Sequence, residues 1–182
     1  MQGISIAGRK VNDGIDFYAT PDWAVDKILE VAKLEGIVME PCSGNGAFAS
    51  KIPNCVASDI RTDANVYGEK GVDLFDIPEG SADVVITNPP YCMAQEVIEH
   101  CLKIANKRVY MLLKLSFLEG IRRKEFYENT PLKKVYVFRR RVNMYPANMK
   151  ERPKNSGTIA YALYEWEHGY TGEPAIGWLS ST

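Results

Sequence analysis

The four residues from Asn88 to Tyr91 have the clearest chemical potential in the chain, and they read Asn-Pro-Pro-Tyr. They follow the apolar run Val84–Ile86, which predicts a buried strand. Two prolines fix the backbone and remove two N–H groups, so the Pro89 carbonyl can present a bare acceptor. The Asn88 side chain offers a second acceptor, and Tyr91 offers an aromatic face for a planar ring. Two acceptors beside such a face suit an exocyclic NH₂ group, which brings two donors.

Acidic residues end three other short apolar segments. Glu40 and Asp59 each end a predicted strand, and Asp73 follows a third short segment. In an open parallel sheet, ligands bind beyond the carboxyl ends of the strands, so these residues are expected to share one edge with Asn88. Asp59 lies nineteen residues after Glu40, about the separation at which an acid reaches ribose hydroxyls in nucleotide-binding folds.

The segment Glu40–Gly46 contains two glycines, Gly44 and Gly46, between a predicted strand and a short helix. Glycine lets a backbone pass close to a ligand. The chain has no Gly-Lys-Ser/Thr phosphate loop there, and the acid before the turn disfavours a phosphate. The turn therefore suits an amino-bearing ligand, such as the methionine part of S-adenosylmethionine, although a simple tight turn would share the same pattern.

Short β-branched runs alternate with helical segments along the chain, which is typical of a parallel α/β sheet. Thr20 is expected to cap the first helix, with Pro21 at its first position and Gly36 after its end. The other predicted helices cover residues 47–51, 93–106 and 118–127. The predicted strands cover residues 37–39, 55–58, 84–86, 109–115, 135–138 and 158–166, with a short one near Val72.

Charge divides the chain into two unlike halves. Residues 1–91 carry seven Lys and Arg against fourteen Asp and Glu, whereas residues 92–182 carry fifteen against nine. All fifteen of those basic residues lie between Lys103 and Lys154, where only four acidic residues oppose them. Because a concentrated positive field attracts a polyanion, this stretch predicts a phosphate-facing surface; solvated element faces are the alternative.

Length and composition fit one soluble globular domain, with 182 residues, 46% hydrophobic and 25% charged. No apolar run reaches the length of a membrane-spanning helix, and no signal-peptide pattern opens the chain. A cytoplasmic location without a membrane partner is therefore expected. Four cysteines without a C-x-x-C pair, together with only two histidines, argue against a metal site and favour free thiols.

The ordered motifs resemble those of S-adenosylmethionine-dependent amino-methyltransferases, most of all the small bacterial and phage-type DNA adenine N6-methyltransferases. Phe17–Pro21 resembles the N-terminal cofactor motif of that family, and Glu40–Gly46 resembles its E-P-x-x-G-x-G loop. Asp59 resembles the ribose-binding acid, and Asp73–Phe75 the segment that recognises the cofactor's adenine. Asn88–Tyr91 matches the catalytic N-P-P-Y, the most specific part of a likeness that spans nearly the whole chain.

The resemblance implies an α/β Rossmann-like class I methyltransferase fold, with a seven-stranded, mostly parallel sheet and an antiparallel last strand. It implies S-adenosyl-L-methionine as the cofactor, S-adenosyl-L-homocysteine as its product, and no metal. The catalytic residues would be Asn88, Pro89, Pro90 and Tyr91. The cofactor-binding residues would be Phe17, Tyr18, Thr20, Pro21, Glu40, Pro41, Ser43, Gly44, Gly46, Asp59, Ile60, Asp73, Leu74 and Asn88.

A single methyltransferase domain is expected over residues 1–182, with flexibility at residues 1–14. Only fourteen residues separate Asp73 from Asn88, so the target-recognition domain of restriction-system enzymes has no room there. A basic segment that precedes the antiparallel strand is expected at the ligand edge, where it would grip phosphates in its place. The residues of this predicted nucleic-acid surface are Arg139, Arg140, Arg141, Lys150, Arg152 and Lys154.

The predicted reaction is methyl transfer to the exocyclic N6 of adenine, with DNA as the favoured partner. An RNA methyltransferase acting on adenine N6 or guanine N2 stays open, because such enzymes share the four-residue motif. A protein glutamine N5-methyltransferase and a non-catalytic nucleic-acid-binding module are further alternatives. The oligomeric state, and whether a partner subunit supplies target recognition, also stay open.

Overall fold

A computed structural model describes residues 4–6, 9–11, 18–146 and 157–180. The helices are α1 (Asp22–Leu29), α2 (Ala94–Ile104) and α3 (Lys124–Glu128). The strands are β1 (Ile4–Ile6), β2 (Arg9–Val11), β3 (Tyr18–Ala19), β4 (Val38–Glu40), β5 (Val56–Asp59), β6 (Glu69–Lys70), β7 (Ala82–Thr87), β8 (Ala105–Lys114), β9 (Leu132–Phe138), β10 (Tyr145–Pro146), β11 (Tyr161–Glu167) and β12 (Ala175–Leu179).

Eight of these strands form one sheet in the order β12-β9-β11-β8-β7-β4-β5-β6. β11 runs antiparallel to its neighbours β8 and β9, and the other neighbouring pairs are parallel. The predicted Rossmann-like, mostly parallel α/β fold with one antiparallel strand is therefore confirmed.

The predicted strand count of seven is wrong, whereas the strand predicted over residues 158–166 is indeed the antiparallel one, β11. β12 follows β11 in the chain and adds an eighth strand, parallel to β9 at the edge of the sheet. The sequence of β12 does not predict a strand, because its apolar residues do not mark a buried face. Ile176 and Trp178 are both exposed, and Gly177 lies between them. An edge strand lacks the alternation by which a half-buried strand is recognised.

Two shorter elements also differ from the prediction. The third strand of the cofactor half is β6, a little before Val72, whose own N–H donates to the Asp59 carbonyl at 3.1 Å. The helix expected over residues 118–127 is instead a succession of short 3₁₀ turns and the five-residue α3. Gly120 interrupts it with a φ of 113°, which side-chain-bearing residues rarely adopt.

The central strands of the sheet are buried on both faces, as expected for strands that helices cover on each side. Along β7, Val84 and Ile86 face the layer that contains α1, whereas Val85 faces the layer that contains α2. This central strand therefore carries a continuous apolar run and fixes the position of the residues that follow it. β1 and β2 pair as a separate antiparallel ribbon, and the rest of residues 1–14 lies outside the described residues.

Within the described residues, no helix has the length and apolar character needed to cross a membrane.

Candidate functional site

The carboxyl ends of three neighbouring parallel strands bring the predicted residues together. Glu40 ends β4, Asp59 ends β5, and Asn88 directly follows β7. β4 lies between β5 and β7 in the sheet, so the three side chains start from one edge. Asp73 comes three residues after β6, the next strand along. These four residues, which are distant in sequence, thus lie in one row along the predicted ligand edge of the sheet.

The glycine turn, defined here as Pro41–Gly46, needs both of its glycines. Gly44 has a φ of 56° and Gly46 a φ of 83°. A Cβ on Gly46 would lie 2.5 Å from Cγ of Tyr67, so a side chain there would clash. The Ser43 hydroxyl donates to the Tyr67 carbonyl at 2.6 Å, and the Ser43 carbonyl accepts from the Gly46 N–H at 2.7 Å. The turn is a fixed structure that passes backbone close to the strand ends.

Asp59 holds the glycine turn against β5. One oxygen accepts from the Gly44 N–H at 2.8 Å, and the other accepts from the Arg61 N–H at 2.9 Å and from Arg61 Nε at 3.3 Å. A carboxylate offers about four acceptor positions, so these bonds leave it capacity for a ligand hydroxyl. The prediction from the sequence gave Asp59 a ligand role alone; the structure adds a structural one.

Glu40 is the most buried acid at this edge, with 2% of its surface exposed. Its carboxylate accepts from the Ala49 N–H at 2.7 Å, so it also secures the short helix after the glycine turn. Burial, opposed by backbone hydrogen bonds and assisted by the negative charge of Asp59, raises the pKa of Glu40 well above its usual value. A cation placed beside this carboxyl would favour its ionised form.

Asp73 and its neighbours lie at the end of this row of residues. The Asp73 side chain caps a short 3₁₀ helix by accepting from the Phe75 N–H at 3.0 Å. Leu74 is buried, and the half-buried Ile60 packs against the same apolar cluster. The Asp73 carboxylate thus lies beside an apolar cluster to which both aliphatic side chains belong.

In the side-chain amide of Asn88, the nitrogen has hydrogen-bond partners and the oxygen has none. Its Nδ2 donates to the Tyr18 carbonyl at 3.4 Å and to the Thr20 hydroxyl at 3.2 Å. Its Oδ1 is buried and has no hydrogen-bond partner. The opposite amide orientation would place Oδ1 against the Tyr18 carbonyl, where neither atom can donate. Asn88 is therefore held with a bare acceptor directed away from β3.

Thr20 does not cap α1 as predicted. The N-cap residue is Pro21, and no side-chain hydrogen bond caps this end of the helix. The Thr20 hydroxyl instead accepts from Asn88. The helix start is thus used to orient the asparagine, which explains why a good capping residue is left without its usual partner.

Aromatic side chains surround the end of the four-residue motif. The Tyr91 ring lies 5.8 Å from Tyr18 and 5.9 Å from Tyr161, and Lys114 Nζ lies over it at 5.0 Å. Pro89 is buried next to them. A ring stacked on Tyr91 would displace the Lys114 ammonium or use the other face. Stacking on Tyr91 and the direction of the Pro89 carbonyl stay predictions.

Three predicted phosphate ligands lie at the same edge. Arg139, Arg140 and Arg141 are exposed and directly follow β9, which is parallel to β7. The chain then returns as β10, which pairs with β3 and so reaches the strand that holds Asn88. Phe17, Lys150, Arg152 and Lys154 lie outside the described residues.

Two of the arginines contact tryptophan rings, which no local sequence pattern predicts. The Arg140 guanidinium lies 5.1 Å from the Trp23 ring, and that of Arg139 lies 5.9 Å from the Trp178 ring. Arg141 donates to the Thr158 carbonyl at 2.9 Å. Arginines stacked on rings keep their charge and most of their donors.

Four other site residues were not predicted: Arg61, Tyr67, Lys114 and Tyr161. Each acts through a partner distant in sequence or through its backbone, so no local motif identifies them. Among the described residues, no group of three or more His, Cys, Asp or Glu side chains could hold a metal ion.

A similar fold occurs in solved structures of low sequence identity, several of which are described as methyltransferases. A putative RNA methyltransferase from Pyrococcus horikoshii superposes with a TM-score of 0.62 at 14% identity, covering 92% of each chain. The modification subunit of a putative type I restriction enzyme from Vibrio vulnificus gives 0.59 at 14% identity, covering 92% of this chain and 48% of that one. No protein-family model and no curated protein sequence matches the chain.

A third similar structure, magnesium protoporphyrin IX methyltransferase from Synechocystis with bound S-adenosylmethionine, gives a TM-score of 0.50 at 15% identity over 80% of this chain and 78% of that one. At such identities the likeness shows the fold alone.

Proposed function

We propose that this protein transfers a methyl group from S-adenosylmethionine to the exocyclic N6 of adenine in DNA. The observation that carries the proposal is the buried, unpartnered Oδ1 of Asn88. Buried polar atoms almost always have a partner, and an acceptor left bare at a ligand edge calls for a donor from the ligand. An aromatic amine supplies it.

The cofactor half fits the group that this reaction requires. The glycine turn brings backbone close to the strand ends, and Asp59 retains acceptor capacity for a ribose hydroxyl. The buried Glu40 offers a negative charge for the amino group of a methionine moiety, and Leu74 with Ile60 offers an apolar surface for adenine. When bound, S-adenosylmethionine would supply an electrophilic methyl group on its sulfonium.

The protein's own contribution would be to position and polarise the amine. The amine nitrogen is a poor nucleophile because its lone pair is delocalised into the ring. Acceptance of one N–H by Asn88 Oδ1, and of the other by the Pro89 carbonyl, would favour a more pyramidal nitrogen. These fixed dipoles would also stabilise the positive charge that develops during attack. Because Thr20 and Tyr18 already hold the amide, little reorganisation is needed.

The basic surface supports a nucleic acid over a protein substrate. Arg139–Arg141 lie at the edge that holds Asn88, and β10 ties the following segment to β3. The Vibrio neighbour is a restriction-system subunit, which agrees with DNA, whereas the Pyrococcus neighbour is described as a putative RNA methyltransferase. Adenine or guanine in RNA is therefore the second candidate.

The test is transfer of a tritiated methyl group to matched DNA, RNA and protein pools, followed by nucleoside or amino-acid analysis of the product. N6-methyladenosine from RNA or N2-methylguanosine would replace the DNA assignment. Label on glutamine would reject a nucleic-acid substrate. An absence of cofactor binding, measured by calorimetry without substrate, would reject an enzyme of this class altogether.

A further inference from the structure

Trp178 is an exposed tryptophan near the carboxyl end of the edge strand β12. It is 59% exposed, and only Leu179 follows it within the strand. β12 is parallel to β9, with Trp178 beside Val137, and β9 is parallel to β7. The carboxyl ends of these strands therefore lie at one edge of the sheet, so Trp178 belongs to the edge that holds Asn88.

Arg139 is held against this tryptophan by the backbone of both strands. The Arg139 N–H donates to the Leu179 carbonyl at 3.0 Å, which joins the residue after β9 to the end of β12. The Arg139 guanidinium lies 5.9 Å from the centre of the Trp178 ring. Because a guanidinium on a ring keeps its charge and most of its donors, the pair presents an aromatic surface and a phosphate ligand together.

The two chain segments that form this surface carry positive charge alone. Residues 135–146, which contain the end of β9, include three arginines and no other charged side chain. Residues 174–180, which contain β12, include no charged side chain. The contacts of the three arginines are two tryptophan rings and a carbonyl, with no carboxylate among the described residues. A polyanion is therefore attracted to this end of the two strands.

The acidic residues that come nearest in sequence or on α1 do not cancel this charge. Glu173 precedes β12 and lies five residues before Trp178, or roughly 16 Å along an extended chain. On α1, Asp22 and Asp26 both form ion pairs with Lys51, at 3.7 and 2.7 Å.

An exposed aromatic ring beside arginines suits single-stranded nucleic acid. Every base has a π face, so stacking on such a ring tolerates any sequence, while the cations follow the backbone. In a duplex the faces of the bases are already stacked on their neighbours, so a duplex could use only the arginines. A protein partner would be expected to use the exposed Ile176 as well, since it lies two residues before Trp178 on the same face.

We propose that Trp178 is a base-stacking subsite for an unpaired segment of the DNA strand that carries the target adenine. The inference rests on the proposed function, because Trp178 and Asn88 would serve one strand. β12 lies four strands from β7 in the sheet, or about 19 Å at the usual spacing, so the stacked base would be several nucleotides from the adenine. Arg139 would contact the phosphate of the stacked nucleotide, and the favoured substrate would be single-stranded DNA.

The experiment measures binding of oligo(dT), whose bases present no amine to Asn88, beside a duplex and an abasic strand of the same length. We expect Trp178→Ala to weaken oligo(dT) binding about ten- to hundredfold, the usual effect of losing one base–aromatic stack. Trp178→Phe should retain most of the affinity, because it keeps a ring. Neither variant should change binding of the duplex or the abasic strand, which depends on charge.

Ile176→Ala is the matched control, since Ile176 is 67% exposed on the same strand, and oligo(dT) binding should not respond to it. Circular dichroism would check the fold of each variant. Unchanged oligo(dT) binding by Trp178→Ala, or equal weakening on all three nucleic acids, would overturn the subsite. A loss of self-association in both variants, seen by sedimentation, would give this face to a second copy, and tighter binding of oligo(rU) would give it to RNA.

Methyl transfer to an adenine-containing single strand separates this inference from the proposed function. Methylation of DNA by wild type, without any effect of Trp178→Ala on single-strand binding, would overturn the subsite and uphold the proposed function. Trp178-dependent binding of oligo(dT), without methyl transfer to any DNA, would support the subsite and reject the proposed function.

Discussion

Two loops leave the same edge of the sheet, and they are stabilised in opposite ways. In the glycine turn, backbone N–H groups bind buried or half-buried oxygens, with Asp59 and Ser43 as the partners. In the loop Leu115–Arg123, which we call the Ile121 loop, aromatic packing and a guanidinium fix the base, and Ile121 at the tip faces solvent.

This difference matches the size of the ligand that each loop would meet. A small cofactor is enclosed by one set of directed hydrogen bonds, so the loop beside it must be buried and specific. A polymer arrives from solvent and extends past the site, so the loops that meet it must be exposed and charged. The acidic half of the chain accordingly contains the glycine turn, and the basic half contains the Ile121 loop and the Arg139–Arg141 surface. The following predictions test this division.

The largest effect is expected from Asn88→Ala. This change removes the bare acceptor on which the proposed chemistry depends, so turnover should fall by at least about 100-fold, as for loss of one oriented transition-state dipole. Cofactor affinity, measured by calorimetry, should stay close to that of wild type. A variant with near-normal turnover would remove Asn88 from catalysis.

Asp59→Ala should act on the cofactor side alone. It would lose charge-assisted hydrogen bonds worth about 1.5–3 kcal/mol each, which predicts weaker S-adenosylmethionine binding by one to two orders of magnitude. Because Asp59 also holds Gly44, the fold of the variant should be checked by circular dichroism. Unchanged affinity in a folded variant would contradict the ribose assignment, and nucleic-acid affinity without cofactor should not change.

Replacing Arg139, Arg140 and Arg141 together by alanine should affect nucleic-acid binding and leave cofactor binding unchanged. DNA binding should weaken for every sequence, because phosphate contacts position the duplex and do not read it. The log–log dependence of affinity on salt should become shallower by about 0.9 per lost contact. Lys103→Ala with Lys107→Ala, at the opposite edge of the sheet, is the matched control. An unchanged salt dependence in the triple variant would place the polymer elsewhere.

Glu40→Gln should have the smallest effect on the free protein, and the effect should depend on pH. The raised pKa of Glu40 means that the folded state binds a proton more tightly than the unfolded chain. The free energy of unfolding should therefore fall as pH rises from about 4.3, the unfolded value, through the raised pKa. Glu40→Gln should remove that fall, as urea titrations between pH 4 and 8 would show. An identical pH dependence in the variant would mean that Glu40 ionises without cost.

In the same pH range, wild-type affinity for S-adenosylmethionine should increase with pH, because a bound ammonium favours the ionised Glu40. Glu40→Gln should bind more weakly and show a smaller pH dependence. Affinities that follow the same course in both proteins would show that Glu40 does not contact the amino group and would leave it only the hydrogen bond from Ala49.

Residue type and spacing along the chain are enough to predict the parts of this protein that depend on local order. Apolar runs ending in Glu40, Asp59 and Asn88 specified parallel strands and the edge at which their polar ends meet, since a buried strand must be apolar and its end marks the ligand edge. Gly44 and Gly46 specified a turn that a side chain would block. These features follow from residue type and spacing, so no distant contact was needed to predict them.

Tertiary contacts, by contrast, establish which polar atoms lack hydrogen-bond partners and which cationic side chains lie against aromatic rings. The bare Oδ1 of Asn88 depends on Thr20, sixty-eight residues away, and the Arg140 guanidinium lies against the ring of Trp23, which comes from a different part of the chain. The eighth strand, β12, is stabilised by pairing with β9 and not by its own weak pattern. Such properties arise from contacts between distant segments, where packing overrides local propensity, and they distinguish this site from a generic nucleotide fold.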